Sequence, residues 1–178
     1  MNVNTTRFGE LKLTKEDLIN FPEGILGFGD LRDFVLLDDP TDEIFAWLQS
    51  CENPDIAFPV LEPELFTSTF EVSLTKSDRE IIGLKADQAP RYFSIITIPA
   101  DPTQMTANLK APIAINVKTR KAKQTVLQDN KLAIREPIFS KLQQRVVQNP
   151  QASLKSQALD WGVAIPLSEP KTGPNLEL

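Results

Sequence analysis

Histidine is absent from all 178 residues. Serine-type triads, histidine-ligated zinc and imidazole acid–base catalysis are therefore excluded. The single cysteine, Cys51, leaves no dithiol pair and no thiolate cluster. It reads as a small, half-buried packing residue. What remains is carboxylate chemistry, concentrated in Asp38-Asp39-Pro40-Thr41-Asp42-Glu43. Four acids around a proline could bind a hard cation or form an acid/base pair if they converged. The stretch lacks the alternating ligands and central glycine of a calcium loop, however, and turn chemistry alone accounts for it. No catalytic residue, metal or cofactor is expected. A carboxylate-dependent hydrolase would require paired acids converging in one concave pocket.

Two further stretches bear on ligands. Phe21-Pro22-Glu23-Gly24-Ile25-Leu26-Gly27-Phe28-Gly29-Asp30 is dense in glycine and superficially like a phosphate-cradling loop. A nucleotide fingerprint needs a strand before it and a helix after it, with Lys-Ser/Thr or a distant acid in register, and these are missing. The glycines read instead as tight-turn residues with positive φ. Thr119-Arg120-Lys121-Ala122-Lys123 offers three cations at a hairpin tip that could grip phosphate. No aromatic residue lies between Phe93 and Phe139, so no base-stacking platform accompanies them. A small β-barrel binding RNA through Arg120, Lys121 and Lys123 is the alternative to protein binding.

The elements that must position these groups are mostly strands. Fourteen prolines punctuate short apolar runs, the pattern of a turn-rich β domain. Strands are expected at 34–37, 44–48, 70–74, 92–98 and 111–118, with 124–127 and 132–134 continuing or returning the sheet. The 92–98 run is apolar on both faces and reads as a central strand. Pro59 makes 56–61 an edge strand or a bulged one. In 111–118, Ile113, Ile115 and Val117 share the core face, which turns Asn116 and Lys118 outward. Ser77 and Glu80 form a capping-box pattern for a short, lid-like helix ended by Gly83. After Arg135, Pro137 as a first helical residue, the Ile138, Leu142 and Val146 stripe, and Pro150 as a stop describe a C-terminal helix.

The fold expected is mainly β: a small closed or partly open antiparallel β-barrel with one short helix near 77–83 and a C-terminal helix. Residues 1–136 form the barrel domain, 137–150 the helix, and 151–178 a weakly structured or disordered tail. The first hundred residues carry 8 Lys/Arg against 18 Asp/Glu, and the rest 11 against 6. The acidic part suits a basic partner more than a nucleic acid. With no apolar stretch long enough to span a bilayer and no export signal, a cytoplasmic protein is expected.

Taken in order, several stretches resemble the FliW family of bacterial flagellar assembly factors. These are Arg7-Phe8-Gly9-Glu10, Phe21-Pro22-Glu23-Gly24-Ile25-Leu26-Gly27-Phe28, Trp47-Leu48-Gln49-Ser50, Ala57-Phe58 with Glu62-Pro63, and Gln124 and Arg135. The most specific is Thr106-Ala107-Asn108-Leu109-Lys110-Ala111-Pro112-Ile113-Ala114-Ile115-Asn116, an Asn-Leu-x-Ala-Pro-Ile turn leading into a strand. The resemblance runs from about residue 5 to 136. It implies a barrel that binds newly made flagellin and the RNA-binding translational regulator CsrA, switching partners to relieve repression of flagellin synthesis.

The partner-binding candidates follow from it. In the 106–116 segment they are Thr106, Asn108 as a turn-fixing side chain, Leu109, Pro112 as a residue leaving an edge open, and Asn116 as an outward hydrogen-bonding group. Phe21, Ile25 and Phe28 are candidates for an apolar docking surface, with core packing as the rival reading. Family members often carry tyrosine where this chain has Phe70 and Leu132, which puts phenol-mediated contacts there in doubt.

Overall fold

A computed structural model describes residues 1–151 and 153–167. Among the described residues, twelve strands follow in order: β1 Asn2–Thr5, β2 Gly9–Lys12, β3 Ile19–Asn20, β4 Asp33–Asp38, β5 Ala46–Ser50, β6 Ala57–Leu61, β7 Arg91–Thr97, β8 Thr106–Ala107, β9 Ile113–Asn116, β10 Lys121–Gln124, β11 Glu136–Pro137 and β12 Ile165–Pro166. Helix α1 spans Lys76–Ile81 and α2 spans Phe139–Gln148. Strands β3-β4-β5-β6-β7-β9-β10 form a closed barrel of seven strands, with β10 returning to β3. The β3–β10 pair is parallel; the other pairs of the barrel are antiparallel. Strands β8 and β11 branch from β7, β12 runs parallel to β4, and β1–β2 is a separate hairpin.

The barrel wall is buried on both faces, which explains the continuous apolar runs. Inward positions from all seven strands, including Ile19, Phe34, Leu36, Leu48, Val60, Phe93, Ile113, Ile115 and Ala122, form one cluster. Alternate residues Val35, Leu37, Trp47, Leu61 and Ile96 face outward into a second core, covered by the β1–β2 hairpin and α2. A third, small cluster of Ile82, Leu84 and Ala114 seats α1 on β9.

Several expectations are corrected. Residues 70–74 alternate between half-buried and exposed but pair with no strand among the described residues, so their periodicity records an extended chain lying on the surface. Residues 132–134 form a turn closed by the Leu132 N–H on the Asp129 carbonyl, and the Ala133 carbonyl accepts the Leu109 N–H. Strand β10 begins at Lys121, so the hairpin turns at 117–120 and Lys121 and Lys123 lie within the strand. Thr75, not Ser77, caps α1 by accepting the Asp78 N–H at 3.0 Å. Pro137 pairs in β11 instead of opening α2, whose cap is Ile138. Strand β6 is unpaired with β7 over 57–59 and interior over Val60 and Leu61, reconciling Pro59 with a central position.

The largest correction concerns the chain after 150. Residues 152 and 168–178 of the expected 151–178 tail lie outside the described residues. Residues 153–167 are packed: Ala158, Val163 and Ala164 are buried among the barrel's inward side chains, and Ile165 pairs with Leu37. The barrel unit thus draws on residues beyond 136.

Candidate protein-binding surface

Strand direction gives the barrel two ends. At one end lie Asp33 of β4, Ser50 of β5, Ala57 of β6, Gln124 of β10 and the 21–31 loop that follows β3. The other end carries Asp38, Ala46, Arg91, Asn116 and Lys121. Each end is stoppered by a different segment.

The glycine-dense loop closes the first. Phe21 and Ile25 are buried at 0% and 3% exposure, with Phe21 edge-on to Phe34 at 5.1 Å. The loop folds back on itself through Phe28 N–H to the Ile25 carbonyl at 2.7 Å. Gln124 of β10 holds it from below, accepting the Leu26 N–H at 2.9 Å and donating to the Ala111 carbonyl at 3.0 Å. Arg32 donates to the Gly29 carbonyl at 3.0 Å and to that of Pro22. This rigid turn leaves Leu26 at its tip, 58% exposed, and Phe28 half-buried against Phe58. The same end carries the exposed carboxylates Glu23 and Asp30 of this loop and Glu52 and Asp55 of the β5–β6 turn; Glu23 pairs with Lys123, Glu52 accepts the Arg32 and Asp33 N–H groups, and Asp55 accepts the Thr6 hydroxyl. An exposed apolar side chain at a barrel end bearing several carboxylates suits a basic protein surface.

Phe21 and Ile25 therefore serve the core, and of the three apolar candidates only Phe28 reaches the surface. Leu26 was missed. No sequence signal separates it from Ile25: both lie between Gly24 and Gly27, at φ +69° and +84°, and only the fold turns Ile25 inward and Leu26 outward.

The 106–116 candidates divide similarly. Thr106, on β8 between Thr97 and Pro137, and Asn108 are half-buried. The Asn108 Oδ1 accepts the Lys110 and Ala111 N–H groups at 3.1 and 3.0 Å, fixing the turn as expected. Leu109 is buried. Pro112 is buried with its carbonyl accepting from Thr125, and β9 is paired on both sides, so no edge is left open there. Asn116 does not face solvent. It is 4% exposed, donating to the Ile82 carbonyl at 2.9 Å and accepting from Lys118 and Thr119. The side opposite the barrel interior is covered there by α1.

The basic segment is likewise engaged. Arg120, at φ +60°, donates to the carbonyls of Asp17, Gly162 and Val163. Lys123 bridges Asp78 at 2.8 Å and Glu23 at 3.0 Å, tying α1 and the glycine loop to β10. Lys121 stays exposed. Burial alone would raise the Asp78 carboxyl, but hydrogen bonds from Lys123, Thr125 and Thr75 and the ammonium charge together hold it below the usual range. Such a depressed carboxylate contributes stability above its unfolded pKa of about 3.9 and loses it as pH falls through the lower folded value. Asp78→Asn should cost about 1–2 kcal/mol near neutrality and flatten the acid limb of a stability–pH curve below about pH 4. An unchanged acid limb in urea titrations would refute this.

The acidic run is a turn, as its composition suggested. Asp42 accepts from the Ile44 and Phe45 N–H groups and the Trp47 indole, and Asp39 accepts from Thr41. Among the described residues no group of His, Cys, Asp or Glu is arranged to hold a metal ion, and no helix is long and apolar enough to cross a membrane. Burial, reinforced by Asp33 and Glu52, pushes the Cys51 thiol up to about 12. Iodoacetamide at pH 8 should accordingly modify Cys51 at least about ten-fold more slowly in the folded chain than in denaturant; equal rates would contradict that environment.

Known proteins share this architecture. The family model described as FliW protein matches residues 2–138. A flagellar assembly factor FliW from Bdellovibrio bacteriovorus is 63% identical over 167 residues, covering 94% of this chain and 95% of the relative. Its counterpart from Geobacter sulfurreducens is 39% identical over 139 residues, covering 78% of this chain and 87% of its own length. A crystal structure of the flagellar assembly factor FliW superposes with a TM-score of 0.72 at 30% identity, covering 78% of this chain and 97% of that one.

Proposed function

The chain belongs to the FliW family of flagellar assembly factors, and on that premise we propose that it acts in the cytoplasm by exchanging two protein partners, flagellin and CsrA. It performs no turnover. Bound to flagellin it is occupied; freed when flagellin leaves, it captures CsrA and lifts repression of flagellin translation.

The observation that carries this reading is the exposed apolar side chain of Leu26 at a barrel end whose loop and turn also bear the exposed carboxylates Glu23, Asp30, Glu52 and Asp55. A regulator that binds RNA presents cations, and carboxylates at the same end as an exposed apolar side chain offer charge steering with a small desolvated centre. Rigidity supports it too, since a loop pinned by Gln124 and Arg32 loses little freedom on binding.

The test is co-purification and calorimetry with the cognate flagellin and CsrA. Stoichiometric complexes at micromolar protein are expected, with CsrA affinity falling as salt rises. Leu26→Asp should weaken CsrA at least about ten-fold without altering the unfolding midpoint. Failure of both partners to associate would sink the proposal.

A further inference from the structure

The second barrel end is closed by residues 153–167, and the contacts are those of a bound peptide. Lys155 places its ammonium in the acidic turn, 3.2 Å from the Asp38 carboxylate and 3.0 and 2.6 Å from the carbonyls of Asp39 and Asp42. The Ser156 N–H donates to the Ile44 carbonyl, and the Gln157 N–H donates to Glu62 Oε2 at 2.6 Å. Trp161 lies between Phe93, 6.1 Å away, and the Arg91 guanidinium at 4.1 Å. Ile165 and Pro166 then add a parallel strand beside β4, where β3 has ended.

The receptor side is built more fully than this strap uses it. Glu62 is 1% exposed, yet among the described residues its Oε1 meets no hydrogen-bond partner. Arg120 gives its terminal nitrogens to Gly162 and Val163, but its buried Nε is likewise unpartnered. A buried carboxylate oxygen and a buried guanidinium N–H left unpaired are costly, so the strap fits its seat imperfectly. A segment supplying a donor to Glu62 and an acceptor to Arg120 would fit better.

We propose that this barrel mouth is an interaction site for an extended protein segment bearing a lysine or arginine and a large aromatic at the spacing of Lys155 and Trp161, and that residues 153–167 are its built-in occupant, released when the partner binds. The cation enters the Asp38 turn, the aromatic lies under the Arg91 guanidinium and beside Phe93, and the following residues pair with the open stretch of β4. The strap lowers the apparent affinity for the partner by the fraction of chains in which it is seated.

The test uses the full chain and the peptide Ser153-Leu154-Lys155-Ser156-Gln157-Ala158-Leu159-Asp160-Trp161-Gly162-Val163-Ala164-Ile165-Pro166-Leu167 as the added probe. Trp161→Ala loosens the strap, and Lys155→Ala does so without touching the apolar core. Each folded variant should bind the labelled peptide saturably and at least about ten-fold more tightly than the parent chain. Variants that bind it no better than the parent would overturn the proposal. A second arm rests on the partner-exchange reading: in complexes with flagellin or CsrA, hydrogen exchange should accelerate at Gln157, Val163 and Ala164 for the partner that takes the mouth. Full protection of these amides in both complexes would overturn release. If neither partner associates, the partner-exchange reading falls while the peptide arm still decides the site.

Discussion

Gly24→Ala is expected to lower the unfolding free energy by about 3 kcal/mol, with a matching drop in the urea midpoint. Two effects add. Gly24 sits at φ +69°, a region that costs an L side chain about 1 kcal/mol. A methyl group built there would also lie 2.7 Å from both the Cα and the carbonyl oxygen of Gly29. Those are backbone atoms of a loop already closed by the Ile25–Phe28 bridge, so the clash is relieved only by opening the stopper over Phe21 and Ile25. A loss under about 1 kcal/mol would mean that the loop can shift as a unit.

Asn116→Ala should cost about 2–3 kcal/mol. The side chain shares the Ile82 carbonyl at the end of α1 with the Thr119 hydroxyl and alone accepts two N–H groups of the β9–β10 turn, all near the buried Ala114 face. Its loss should raise amide exchange specifically in α1 and at Leu84. Because the group is buried, the folded variant should match the parent in any affinity for the proposed partners flagellin and CsrA. Lost affinity without lost stability would instead identify Asn116 as a contact residue.

Asn116 also shows where reading the chain failed. Its parity with Ala114, opposite Ile113 and Ile115, was correct, and the inference from parity to exposure was not. A period-two pattern says which residues share a face; it does not say that another element covers that face. Strands β4, β5 and β7 were legible because burial on both sides leaves an uninterrupted apolar signature. Residues 70–74 were misread because alternation marks an extended chain whether or not a neighbour supplies hydrogen bonds. The strap was missed because its buried residues are small and sparse, Ala158, Val163 and Ala164, and its polar anchors lie far back in the chain. The glycine loop was recognised as a turn. Its closure of the barrel depended on Gln124, 98 positions away from the Leu26 amide it accepts.

The barrel's closing contacts set the order in which the chain can organise. Arg120 reaches back 103 positions to Asp17, and Lys155 reaches back 116 to Asp39. Neither can form while the intervening chain is incomplete, and each carries the entropy of closing a long loop. The antiparallel β4–β5–β6 meander can pair early from neighbouring residues. The β3–β10 seam must wait for it. Folding should therefore be slow for a domain of this size, on the order of milliseconds to seconds. During that interval the seam strands are open edges, and a newly made chain is most exposed to mispairing with its neighbours.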